Sequence, residues 1–318
     1  MNQNEIKKRL WPLPFILTAG AVGLVVENPY YLQVLTFIGL NTLLALGLNM
    51  LMGYAGQISL GHAAFYGIGA YTTAILTTTY GWSPWAALPA AIALACLVAF
   101  IVGIPTLKLS GYYLGMGTLG FGMIVHIFLR EWSTLTGGAS GFVGIPLLEI
   151  GPVSFASARN YFYLVWSVVL LAILVCRRIV DSRMGRALRS IHDSEKASAA
   201  VGVDTRHLKL TVFVLSAAFA AVAGFLYAHF VSFISPGSFD FLVSVRMVTM
   251  VVIGGMASIW GALFGATLMT LLPEMLHSFA EFEMLVYGLI LMSVMIFLPR
   301  GLTCGLMDIY ERAKRKNG

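Results

Sequence analysis

RRIVDSRMGRALRSIHDSEKASAAVGVDTRHLK, residues 177–209, is the one long polar interruption in an otherwise apolar chain. It carries eight basic residues: Arg177, Arg178, Arg183, Arg186, Arg189, Lys196, Arg206 and Lys209. It also has helical grammar. Asp193 or Ser194 can cap a short helix through Glu195, Ala197, Ala199 and Ala200, and Gly202 supplies a left-handed stop. Asp204 or Thr205 can cap the apolar helix that follows. A folded basic segment between two membrane spans is suited to dock a cytoplasmic partner. Its charge, taken alone, favours a plainer reading as a solvated positive-inside loop.

The sequence on either side fixes the class. Of 318 residues, 58% are hydrophobic and 11% charged, against about 25% charged in soluble domains. Several apolar runs exceed the roughly 18 residues that a spanning helix needs. The alternating code of a membrane β-barrel is absent. The expected architecture is an all-α polytopic helical bundle, one transmembrane domain over residues 1–318. The net charge of +6 reports orientation rather than nucleic-acid binding. Cys96, Cys176 and Cys304 show no metal or disulfide spacing.

In chain order, Lys7, Lys8 and Arg9 precede an apolar run at residues 10–26. It resembles a signal peptide and is read as an uncleaved first span that starts inside. A second run covers 31–52. Then comes a polar, glycine-rich break from Gly53 to His62, and a third run to Thr79. Such a break is a tight turn or an unwound segment lining a cavity. Ser59 fits an N-cap of the third helix, and His62 fits either an interface histidine or a pathway residue. Runs at 86–107 and 111–130 follow. Inside the latter, Gly115, Gly117 and Gly120 match a dinucleotide fingerprint, which we reject because no βαβ unit surrounds it. Residues 131–160 form the longest outside segment, and a sixth run at 161–176 leads into the basic segment. The seventh covers 210–234.

Residues 242–272 are apolar, split by Gly254 and Gly255, with Arg246 in the first limb. A single crossing would leave the basic tail outside, against the positive-inside rule. A hairpin that enters and returns places 17 of the 20 Lys and Arg residues inside. The expectation is therefore both termini inside, about eight full spans and a broken hairpin, or ten segments if both limbs cross. The breaks near Gly53–Gly61 and Gly254–Gly261 look loosely alike. Paired interrupted segments in two halves mark binding sites in transporters, and also occur as ordinary glycine packing.

At these residues the chain resembles a known family. GLNMLMGYAGQISLGHAAF (47–65), the Thr136-Gly137-Gly138 to Gly144-Ile145-Pro146 stretch, GRALRSIHD (185–193) with AAVGV (199–203), and IGGMASIWG (253–261) are similar to the branched-chain amino acid ABC importer permeases of the LivM type. The resemblance implies a division of labour. Two ABC ATPase subunits, a second related permease and a periplasmic substrate-binding protein would be partners, in the bacterial inner membrane. ATP and magnesium would sit on the ATPases, with no cofactor in this chain. The chain has no Gly-Lys dipeptide and hence no P-loop, so it is not expected to be an enzyme. Arg186, Arg189, Asp193, Ala199, Ala200 and Gly202 are expected to couple to the ATPases. Arg186 and Arg189, three apart on one helical face, suit acidic groups on that partner. Tyr54, Gln57, Ser59, His62, Gly254 and Gly255 are the expected substrate pathway. The departures are Met123 and His126, where many relatives carry glutamate and arginine. Urea and short-amide importers have similar permeases and remain the alternative substrate class. A gradient-driven transporter would carry paired charges in its spans. Here Arg246 is the one charge clearly inside a run, and it can snorkel.

Overall fold

The structure, a computed structural model, describes residues 20, 22–151, 153–276, 288, 289 and 292. The expected first span at 10–26 and last span at 284–298 lie outside these residues, apart from a few positions. Cys304 and the basic tail also lie outside them.

Ten helices of six residues or more organise the described residues: α1 (Pro29–Asn49), α2 (His62–Ala74), α3 (Pro84–Thr106), α4 (Tyr112–Glu131), α5 (Ala158–Asp181), α6 (Arg183–Asp193), α7 (Glu195–Ala200), α8 (Thr205–Val231), α9 (Phe241–Gly254) and α10 (Ile259–Leu276). Their starts are written locally. The Asn28 side chain accepts from Tyr30 N (3.0 Å) with Pro29 in the first turn, and Ser83 caps α3 ahead of Pro84. Among the described residues, six segments are long and apolar enough to cross a membrane, from Pro29–Tyr54 to Pro236–Gly254. The chain is a multi-pass membrane protein.

Burial sorts the helices by position. The inner half of α1 is buried nearly all round, so it runs through the middle of the bundle. α3 instead buries one stripe of small residues, Ala87, Ala91, Ala95, Ala99 and Gly103. Its other faces expose Leu97, Phe100 and Ile101. That is the signature of a helix with lipid on one side, where close backbone approach rather than apolar bulk drives association. α4 exposes Met123, Ile124, Ile127 and Phe128 in the same way. α2 and α8 also pack closely: a Cβ at Gly224 would overlap the Tyr66 carbonyl. The rejected fingerprint Gly115–Gly120 is indeed helical, within α4.

Residues 242–272 enter and return, as charge parity predicts. Gly254 lies against Gly261, and Gly265 against Met250, so α9 and α10 are antiparallel. Residues 131–160 hold more than turns. Phe142–Val143 pairs antiparallel with Phe233–Ile234, and Glu149–Ile150 with Val153–Ser154. His229 Nδ1 lies 2.6 Å from the Pro146 carbonyl, tying this segment to the end of α8.

Candidate functional site

Two helix breaks meet inside the bundle. At the first, α1 widens into a buried π-helical turn, Met50–Tyr54. Gly56 then takes φ +66°, and α2 starts at His62. The residues between are not helical, so their backbone groups need outside partners. Neighbouring helices supply some. Leu60 N donates to Thr118 Oγ1 on α4 (3.0 Å), and Ala63 N donates to Ser244 Oγ on α9 (3.0 Å). The expectation that Ser59 caps α2 is therefore wrong. Gly61 holds the cap position, and a serine on another helix satisfies the free N–H there.

The second break is tighter. α9 stops at Gly254, Gly255 takes φ +117°, and Ala257 sits at φ +57° before α10 begins. A side chain at Gly254 would strike the Gly261 carbonyl, so the two limbs touch backbone to backbone. Asn49 joins the two breaks. Its Oδ1 accepts from Ala257 N (3.0 Å) and its Nδ2 donates to the Ser258 carbonyl (2.7 Å). Gly53 leaves room for this, since a Cβ there would meet both Asn49 and Ala257.

The expected pathway residues divide between these breaks. Tyr54, Gln57, Ser59 and His62 are all buried in the first break, while Gly254 and Gly255 form the second. Gln57 Nε2 donates to the Ala55 carbonyl (3.1 Å). Gln57 Oε1, Ser59 Oγ and both ring nitrogens of His62 have no hydrogen-bond partner among the described residues. Buried polar atoms are nearly always paired, so four such atoms within six residues single out this segment.

The basic segment folds as its capping residues direct. Ser182 caps α6 through Met184 N (3.1 Å), and Ser194 caps α7 through Ala197 N (3.3 Å). Gly202 turns at φ +86°, and Asp204 caps α8 through His207 N (3.0 Å). Lys209 is not a free charge of this loop. It is buried and pairs with Glu195 at 2.8 Å, clamping α7 to the start of α8. Arg186 Nη1 donates to the Asp181 carbonyl (3.3 Å) and Arg189 Nη2 to the Val180 carbonyl (2.7 Å). Both arginines thus satisfy carbonyls at the end of α5, besides presenting charge to solvent. Asp193, Ala199, Ala200 and Gly202 are exposed, and Val201 beside them is 80% exposed. His192, itself exposed, lies beside the equally exposed Gly56 at the edge of the first break: a Cβ added to Gly56 would lie 3.1 Å from His192 Nδ1.

The profile of the family "Branched-chain amino acid transport system / permease component" matches residues 30–298. The chain belongs to that family. The high-affinity branched-chain amino acid transport system permease protein LivM of Escherichia coli K12 is 35% identical, the match covering 96% of this chain and 74% of that protein. LivM of Salmonella typhimurium is 34% identical over 91% of this chain and 71% of its own length. BraD of Pseudomonas aeruginosa, a permease protein of the same description, is 27% identical over 87% of this chain and 96% of its own. No solved structure matches the chain. Three residues that bond to or lie beside the two breaks escaped the sequence reading: Asn49, His192 and Ser244. A polar residue inside an apolar run was the available signal for Asn49, since burying an amide in a membrane is costly unless it is bonded.

Proposed function

We propose that this chain is the permease subunit of an ATP-binding cassette importer in the bacterial inner membrane, carrying leucine, isoleucine and valine by alternating access. Two ATPase subunits sit on the cytoplasmic face of the transporter and this chain docks to them through α6 and α7, a second related permease pairs with this one, and a periplasmic binding protein delivers substrate. ATP and magnesium stay on the ATPases. The observation that carries this reading is the seat of His192 on Gly56. A helix on the basic surface touches the interrupted segment at its exposed edge, next to the buried Gln57, so displacement of α6 bears directly on that segment.

Each part has a mechanical role. ATPase closure presses on the exposed Asp193, Ala199, Ala200 and Gly202 and on the charges of Arg186 and Arg189. The Lys209–Glu195 pair makes α7 move with the root of α8. At the first break, Gln57, Ser59 and His62 offer polar atoms to a solute that leaves water, with Tyr54 beside them. Gly254 and Gly255 form the opposing turn. Switching between two faces then repacks the first break against the second.

The test reconstitutes the permease with its neighbouring transporter subunits in liposomes. Leucine-loaded binding protein is expected to stimulate ATP hydrolysis and uptake together. Ala200→Trp, placed on an exposed position, is expected to abolish both while the permease still assembles in detergent. Uptake without ATP would overturn the importer reading. Stimulation by urea- or amide-loaded binding protein alone would keep the class and replace the substrate.

A further inference from the structure

A cavity of about 410 Å³ opens between α1, α2, α8 and α9, away from the first break. Its polar lining includes Asn41, Asp240 and Arg246, and its apolar lining includes Phe37, Met247 and Met250. It lies at the start of α9, where the chain descends through the turn Pro236–Phe239. Phe239 is buried against the rings of Tyr66, Tyr71 and Tyr227, which wedges this helix start against α2 and α8. Asp240 caps α9 by accepting from Val243 N (3.0 Å). Arg246 makes no ion pair among the described residues and remains exposed to the cavity.

An arginine in a spanning helix is costly and marks a solute pathway when it faces a cavity. A planar guanidinium binds a carboxylate through two parallel hydrogen bonds, which a neutral amide cannot reproduce. The rest of the lining suits the remainder of an α-amino acid. Asp240, with Tyr66 and Tyr227 in the same lining, favours an ammonium group. Phe37 and the two flexible methionines offer apolar wall to an aliphatic side chain. The volume falls in the range of small-molecule pockets, about 300–1,000 Å³.

We propose that this cavity is a substrate site and that Arg246 receives the carboxylate of an aliphatic α-amino acid. The assignment rests on the importer reading and deepens it. A site built on Arg246 selects zwitterionic amino acids over urea and short amides.

Two measurements test it. In the reconstituted transporter, Arg246→Gln is expected to lower ATP-driven leucine uptake by about tenfold or more, the usual loss with one charged hydrogen-bond partner. Arg246→Lys, which keeps a cation, is expected to lose less. The second measurement leaves Arg246 intact. Leu242→Cys is placed on an exposed lining position, in a background where Cys96, Cys176 and Cys304 are alanine. Millimolar leucine is expected to slow its alkylation by a maleimide, and millimolar leucinamide, which lacks the carboxylate, is not. Leucine uptake by Arg246→Gln that stays within about twofold of wild type would overturn the assignment. So would equal alkylation rates with leucine, leucinamide and neither, whether or not Arg246→Gln assembles. Absence of ATP-driven uptake in the unmodified transporter would instead sink the importer reading, and the alkylation rates would still decide the site.

Discussion

The two helix breaks solve one problem in opposite ways. Around Gly254 the chain interrupts a helix and seals the gap with backbone packed on backbone. Around Gly56 it interrupts a helix and leaves it open, with seven residues (Ala55–Gly61) outside any helix and buried polar atoms unpaired. The first kind of break resists change of shape, because its limbs cannot slide without carbonyls colliding. The second has weak local bonding and touches α6 on its outer side, so it is the element with freedom to rearrange. Asn49 holds the loose break against the rigid one. The pair behaves as a hinge leaf and its fixed post.

Substitutions can break that contrast, and the largest effect belongs to the rigid side. Gly254→Val puts branched bulk where only a hydrogen fits. It should cost about 3 kcal/mol and leave little folded permease, measured as detergent-stable protein by size-exclusion chromatography. Asn49→Ala removes both bonds between the breaks. A loss of about 2 kcal/mol is expected in a denaturant titration of purified permease, with uptake abolished even where protein survives. Gly56→Ala forces a side chain into left-handed backbone and against His192. About 1–2 kcal/mol is expected, read in the same titration, and ATP hydrolysis should continue while uptake falls. Ser59→Ala is the smallest. Its hydroxyl makes no hydrogen bond among the described residues, so stability should stay within about 0.5 kcal/mol while the uptake rate for leucine drops. A large stability loss in Ser59→Ala would show that the open break is as tightly bonded as the closed one.

Much of this was legible before any coordinates. The hairpin at 242–272 followed from counting charges, because one long apolar run with a basic tail beyond it admits few topologies. The cap of α7, its stop and the start of α8 followed from Ser194, Gly202 and Asp204, whose roles depend only on immediate neighbours, whereas the Ser182 cap of α6 was not read in advance. The contacts that define the site could not be read the same way. Asn49 bonds to residues more than 200 positions away, and Ser244 caps a helix 181 positions earlier. Local pattern carries no information about such partners. Arg186 and Arg189 show the converse failure. Their spacing indicated a shared face, and it did not reveal that both side chains fold back on the end of α5. Arg246 was visible as an odd charge in an apolar run, but the cavity that gives it a use is assembled from four helices.

On the proposed function, ATPase motion enters the membrane through the open break while the closed break stays fixed. Hydrogen–deuterium exchange on the assembled transporter, compared between the nucleotide-free and the ATP-trapped states, reads this directly. Amides at 56–61 should change their exchange rates between the two states, and those at 255–261 should not. Equal changes at both breaks, or change at 255–261 alone, would contradict the account.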